Sequence, residues 1–380
     1  MTRAVELSRA VTALGHSVRL VYFHDLDRRR RFGALRPEPT EVECHELAPP
    51  LLGLTKVRRQ LDELASDVDL VQFQKCHPHC ALPALAVAAK RRLPVHYDWD
   101  DDEVAINRET WRSKTGRDSP LWRGVWLMER ALPALSDSLS VSSEALRSRA
   151  IAYGREPGSI GWVPVGADLE RFDPRARGLP FRAREGLDGP VITYLGQLEG
   201  VSHVDGLLEV AVLVAARKPE ARWLIVGGGF QQSDLERRAA DLGLAGTVRF
   251  LGYRPAAEVP EILAASDVMV AWFEDTPATR AKSPLKIAEY LAAGRPVVAT
   301  PVGELPRMLE GAGILAQPNP PVFAAAILQL LADDEARVRL GRGARRGAEE
   351  VFNWRASARR LLNAYGTGSA ARSTGSRAGD

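Results

Sequence analysis

The stretch SPLKIAEYLAAGRPVVATPVGELPRMLE, residues 283–310, decides how this chain is read. Ile287, Ala288, Leu291 and Ala292 recur at helical spacing, with Pro284 where a first turn tolerates proline and Gly294 where a helix ends. Pro296 then returns the chain to a buried strand, Val297 to Thr300. The unpaired N–H groups of such a first turn can face a diphosphate. Lys286 lies in that same turn, against the helix dipole's preference for acids, and so makes better sense beside a bound anion than without one. One turn later Glu289 can accept two hydroxyl hydrogen bonds, as a ribose diol would supply. The segment points to a sugar nucleotide.

Outward from this unit, short β-branched runs alternate with helical patterns. Strands are expected at 190–196, 222–227, 247–251, 267–272, 296–300 and 313–316, which is the rhythm of a parallel, doubly wound sheet. The first half repeats it near 17–23, 40–47, 68–74, 93–98, 137–141 and 159–163. A chain of 380 residues exceeds one typical core, so two domains are expected, joined by the Pro-, Gly- and Arg-rich segment 173–189. The tail 366–380 carries almost no large apolar residues and is expected to be disordered.

Composition narrows the class of function. Lys plus Arg number 51 and Asp plus Glu 48, so the net charge is 51 − 48 = +3, which gives no reason to expect nucleic acid as a partner. The longest apolar runs, such as ALPALAVAA at 81–89, fall short of a bilayer span, and no secretory signal is visible. Three cysteines form no disulfide framework, so a cytoplasmic setting is expected, with the inner membrane face as a variant of it.

Segment 283–310, together with 141–174, YLGQLEG (194–200), WLIVGGG (223–229), 248–270 and FNWRASARRLL (352–362), resembles in order and spacing the group 1, family 4-like retaining glycosyltransferases. That resemblance implies an α/β GT-B fold of two Rossmann-like domains facing a cleft. Residues 1–172 would be the acceptor-side domain, 190–350 the nucleotide-sugar domain, and 351–365 a helix crossing back to the first. It implies transfer of a hexose, with retention, from a nucleoside diphosphate sugar to a glycan or lipid-linked acceptor, in polysaccharide or envelope glycan synthesis. No cofactor or metal is expected, the sugar nucleotide being a co-substrate.

The donor would be held by Gly196, Gln197, Gly228, Gly252, Tyr253, Lys282, Ser283, Pro284, Leu285, Lys286 and Glu289. Three positions depart from the family pattern. Gln197 and Ser202 stand where an arginine and a lysine usually clamp the diphosphate, and Ala281 replaces the first of two glutamates spaced eight apart. Arg280, Lys282 and Lys286 are close enough in sequence to substitute for the clamp. These departures motivate an alternative, a catalytically silent GT-B module that binds a nucleotide or protein partner; an epimerase on the same fold is a third reading.

In the first half, LPVHYDWDDDEV (93–104) ends a strand in Asp98, Asp100, Asp101 and Asp102, a cluster that wants a positive partner or a metal. It resembles the family's YDxDD variant, which makes Asp100 and Asp101 the catalytic candidates, in contact with donor sugar or acceptor hydroxyl. A divalent-metal site and a solvated acidic loop stay open as alternatives. Cys76-His77-Pro78-His79-Cys80 is too cramped to close one zinc tetrahedron, and His77 and His79 are read instead as lining the cleft. Gly227-Gly228-Gly229 fails the dinucleotide fingerprint, because Gln232 holds the third glycine's place. Arg28–Arg31 and the tryptophan-rich 111–130 could meet an anionic membrane, although tryptophans packed into the core would explain the latter as well.

The chain start is unusual. Residues 4–14 already read as a helix and 17–23 as the family's second strand, so the first strand and its glycine-rich loop lack a counterpart. A start assigned too late or a truncated gene is expected, with a domain that lacks that strand as the alternative.

Overall fold

Each of the twelve β-branched runs becomes a strand, and every strand pairing is parallel, as expected of segments buried on both faces. The structure is a computed structural model that describes residues 2–23, 42–47, 54–115, 122–176, 178–198 and 204–375, without side chains at 54–56, 113–115 and 367–375. The chain divides into two units: Met1–Asn107 with Asp118–Pro164 and Trp354–Asp380, and Arg108–Arg117 with Val165–Asn353.

In the first unit β1 (Arg19–Phe23) pairs with β2 (Glu43–Leu47), while β3 (Val71–Gln74), β4 (Val95–Trp99), β5 (Ser138–Val141) and β6 (Ile160–Trp162) form a separate sheet in that order. Helices Thr2–Thr12 and Trp354–Gly375 pack on one another, and the latter covers β5 and β6. A buried ion pair ties the chain start to the sheet. Arg3 forks onto Asp98 at 2.9 and 2.8 Å and also donates to the Val163 carbonyl at 2.8 Å.

The second unit holds β7 (Val191–Leu195), β8 (Arg222–Val226), β9 (Val248–Gly252), β10 (Val268–Ala271), β11 (Val297–Ala299) and β12 (Gly313–Leu315) in the order β12-β11-β10-β7-β8-β9. Alternate side chains of β8 enter opposite layers: Trp223 and Ile225 join one core with Tyr194, Trp272 and Phe323, whereas Leu224 and Val226 join another with Phe181 and Ile262. Burying each of these large side chains stabilises the fold by about 1.5–3 kcal/mol. The strand order reverses between β7 and β10, and in open sheets of this kind ligands bind outside the carboxyl ends of the strands at such a switch point.

Two expected boundaries shift. Segment 173–189 is no free linker, because Phe181 and Leu187 are buried in the second unit's core, around the helix Leu179–Glu185; the division falls at 164/165 instead. The last helix runs from Trp354 to Gly375, well into the tail expected to lack structure, and 376–380 lie outside the described residues. The composition of the tail is poor in large apolar side chains but contains no proline to stop a helix already under way.

Candidate active site

Helix Leu285–Ala292 delivers the sequence-predicted cation. Pro284 is its N-cap, extended at φ −74° and ψ 118°, one position before the first turn expected for it. Ile287, Ala288, Leu291 and Ala292 are fully buried, and this apolar face fixes the helix's rotation. Tyr290 was missed by the sequence reading. Its hydroxyl accepts the Leu195 N–H at 2.8 Å and so locks the helix to the carboxyl end of β7, beside Gly196. The Lys286 ammonium then lies 4.1 Å from the Tyr194 ring centre and 5.6 Å from that of Phe273, at the switch point. A Cβ on Gly196 would fall 2.3 Å from Lys286 Nζ, so glycine there leaves room for the amine. Burial pushes the Lys286 amine down to about 7, against a smaller opposing pull from Glu289 one turn along.

Three loops close over this point. Gly196 N–H donates to the Val226 carbonyl at 2.8 Å, Leu198 N–H to Gly228 at 3.0 Å, and Gly227 N–H to Gly252 at 2.9 Å. Gly227, at φ +125°, passes so close that a Cβ would meet the Gly196 carbonyl oxygen at 1.9 Å. A register irregularity at Ile225/Val226 re-aims the end of β9. Tyr253 consequently lies over Gly228, with its hydroxyl 3.1 Å from that carbonyl and half of its surface exposed. Gln197 is exposed, and its carbonyl accepts from Tyr194 at 3.1 Å. The Ser283 hydroxyl accepts the Val165 N–H at 3.2 Å. Lys282, Leu285 and Glu289 are half-buried on the same segment. Arg280 is exposed, with its guanidinium forked onto Asp275 at 2.5 and 2.8 Å. Ser202 and Arg28–Arg31 lie outside the described residues, and Ala281 is buried.

The first unit gathers a second cluster at the carboxyl ends of β3 and β4. The four acids of 98–102 do not act together: Asp98 belongs to Arg3, and Asp102 caps the helix Glu103–Thr115 through the Ala105 N–H at 2.9 Å while pairing Arg149 at 2.6 Å. Asp100 and Asp101 meet a cation the sequence reading missed. Lys75 Nζ stands 3.0 Å from Asp100, 2.8 Å from Asp101 and 2.6 Å from Glu103. Its backbone is left-handed at φ +79°, a costly conformation for lysine that turns the chain sharply out of β3. His77 Nε2 lies 3.1 Å from Glu103 and stacks on His79 with ring centres 5.4 Å apart. Cys76 is buried with its thiol toward Glu129, away from these rings, so the pentapeptide diverges at the start of helix Pro78–Arg91.

Burial and like charge set unequal acidities here. Asp100 is pushed up to about 6 by burial, less the opposing effect of Lys75, and Glu103 is held near 2 by Lys75 and His77 despite its burial. Glu129, buried beside Asp102, rises to about 7. Oxygens of Asp100, Asp101 and Glu103 lie within 4.8 Å of one another, the span of a cation site, and the Lys75 ammonium occupies the place such a cation would take.

Comparison with known proteins matches both halves of the chain. Residues 2–171 match the profile described as Glycosyltransferase Family 4, and residues 189–333 that described as Glycosyl transferases group 1. A D-inositol 3-phosphate glycosyltransferase of Salinispora tropica is 32% identical over 367 residues, covering 85% of this chain and 71% of that one. The protein of the same description from Corynebacterium kroppenstedtii is 27% identical over 352 residues, 84% of this chain and 74% of its own. Among solved structures, sucrose-phosphate synthase from Thermosynechococcus elongatus superposes with a TM-score of 0.71 at 21% identity, covering 96% of this chain and 92% of that one. Anabaena HepE, in complex with UDP and glucose, gives 0.68 at 17% identity and 95% of both chains. The chain belongs to the group 1, family 4 glycosyltransferases and has their GT-B fold of two parallel-sheet α/β domains.

Proposed function

We propose that this chain is a retaining hexosyltransferase that moves a hexose from a nucleoside diphosphate sugar to a hydroxyl of a glycan or lipid-linked acceptor. The observation that carries the reading is Lys286, a cation at the switch point, held between two aromatic rings and paired with no carboxylate among the described residues. An amine so placed gains most when an anion arrives, and the leaving group of this reaction is a diphosphate. In the transfer the anomeric carbon–oxygen bond to the β-phosphate breaks and a bond to the acceptor oxygen forms on the same face. The acceptor proton passes to the departing diphosphate. Lys286 and the first-turn amides would stabilise the charge that develops on that oxygen, and Glu289 would hold the ribose diol. Asp100 or Asp101 would accept a hydrogen bond from a sugar or acceptor hydroxyl, positioned by Lys75.

The names of the relatives support the class. HepE has been crystallised with UDP-glucose, and Staphylococcus aureus TarM with UDP and α-GlcNAc-glycerol. A cytoplasmic setting in polysaccharide or envelope glycan assembly suits such chemistry, and among the described residues no helix is long and apolar enough to cross a membrane. A peripheral membrane contact is supported by Trp111 and Trp126, which are 41% and 39% exposed rather than packed into the core. Vesicle flotation with and without anionic lipid tests that contact.

The main test is turnover against UDP-, GDP- and ADP-hexoses with and without glycan and lipid-linked acceptors, reading the anomeric configuration of the product. Transfer with retention is expected. Tight donor binding without turnover on any acceptor would favour the silent module over the enzyme.

A further inference from the structure

At the amino ends of β10 and β11, the opposite end of those strands from the candidate donor site, lies a cavity of about 510 Å3, lined by the segments that enter both strands and by helix Asp334–Glu350. Its charges do not cancel. Three acids line it, and each is already matched: Asp267 to Arg182, Asp334 to Arg337, and Glu349 to Arg345 at 2.7 Å. Three further arginines line the same cavity, Arg295, Arg342 and Arg346, and none forms an ion pair among the described residues, although Arg295 feels the charge of Asp267, which Arg182 already binds. Arg295 Nε is buried without any hydrogen-bond acceptor, a state that is costly for a donor removed from water. Arg342 and Arg346 sit one turn apart on one helix, an arrangement that repels unless an anion bridges it.

The helix has little freedom to relieve this by moving away. It is pinned at its glycines: a Cβ on Gly341 would meet the Gly294 carbonyl oxygen at 2.5 Å, and one on Gly343 the Gly311 oxygen at 1.9 Å. Arg345 adds a second anchor, donating to the carbonyls of Phe172 and Ala292 at 3.0 and 2.8 Å. The helix crossing therefore fixes the backbone of Arg342 and Arg346 beside the cavity that Arg295 also lines.

We propose that this cavity is a binding site for a small molecule carrying two or more phosphoryl groups, separate from the donor site. Guanidinium forks match phosphoryl oxygens two at a time, and the three positive charges here exceed the charge of about −2 that one phosphoryl group carries. Because the site touches the entry to β11, whose helix Leu285–Ala292 carries Lys286, an occupant would bear on the loop Gly294–Pro296 that ends that helix.

The test is calorimetry of the full chain with pyrophosphate, in a Lys286→Met background that silences the candidate donor site. Pyrophosphate is expected to bind there at one equivalent, at least tenfold more tightly than inorganic phosphate. Arg342→Gln with Arg346→Gln, both exposed and safe for folding, should weaken it at least tenfold. Arg295→Gln should do the same, with circular dichroism verifying its fold. Absence of pyrophosphate binding in the Lys286→Met chain, or binding indifferent to the Arg342 and Arg346 changes, overturns the site. Equal affinity for phosphate and pyrophosphate overturns the assignment to a multiply phosphorylated ligand.

Discussion

Replacing Lys286 by methionine keeps the length and apolar stem of the side chain and removes its charge, so the change isolates what the amine does. With the free amine at about 7, the charged fraction falls roughly tenfold between pH 6 and pH 8. If a bound diphosphate restores the proton, the apparent dissociation constant of the best-binding sugar nucleotide should rise about tenfold over that interval, or about 1.4 kcal/mol. A sugar nucleotide is the right probe, because its diphosphate diester does not itself titrate in this range. In Lys286→Met the loss at pH 6.5 should be about 10- to 100-fold, the worth of one charged hydrogen bond of about 1.5–3 kcal/mol, and the pH slope should vanish. Stability must move the other way. The folded amine is depressed below its unfolded value, so the unfolded chain holds more protons between pH 7 and about 10.5, and the unliganded parent gains stability as pH rises through that window. The methionine variant lacks this penalty and should melt higher than the parent at pH 7 and below. Calorimetry across pH 6–8 beside thermal melts of the same samples reads both effects. A parent affinity that is flat with pH, or a variant that keeps the slope, would refute the assignment of Lys286 to the diphosphate.

Three further outcomes follow from the geometry. Arg3→Ala strands Asp98, whose carboxyl Arg3 now holds below its ordinary value, and should cost about 3–5 kcal/mol in urea unfolding at pH 7; the loss should shrink below about pH 4, and Arg3→Met with Asp98→Leu should cost less than Arg3→Ala alone. Lys75→Met leaves Asp100, Asp101 and Glu103 to repel one another, so it should destabilise by about 1–3 kcal/mol at pH 8 but less at pH 5, where Asp100 can take a proton; equal losses at both would contradict the ion-pair reading. Gly227→Ala drives a methyl onto the Gly196 carbonyl from a left-handed backbone and should cost about 2 kcal/mol or more, with donor affinity falling alongside; an unchanged urea midpoint would contradict the loop packing.

The two clusters were legible to different depths. Lys286 and Glu289 could be named in advance because a single strand-helix-strand unit places both, and helical spacing along consecutive residues says which face each occupies. The acid run 98–102 could be named but not resolved. Its carboxylates alternate along β4 and the loop after it, so neighbours in sequence point to different environments: Asp98 to Arg3 in the core, Asp102 to Arg149, Asp100 and Asp101 to Lys75. Tyr290 escaped notice because its task is to reach a backbone amide 95 positions earlier, and a tyrosine on a buried helix face is otherwise unremarked.

Periodicity is a local property, and it was enough to place all twelve strands, the parallel sheets they form and the helix that bears Lys286. Ion pairs, by contrast, join positions that the chain order leaves far apart, such as Lys75 with Asp101 across 26 residues and Arg3 with Asp98 across 95. Their partners are chosen by strand register and by where each strand ends. The same holds for the unbalanced arginines at the amino ends of β10 and β11. Arg295 and Arg342 become neighbours only because a glycine-lined helix crossing brings their backbones together, a fact about packing that no stretch of residues carries by itself.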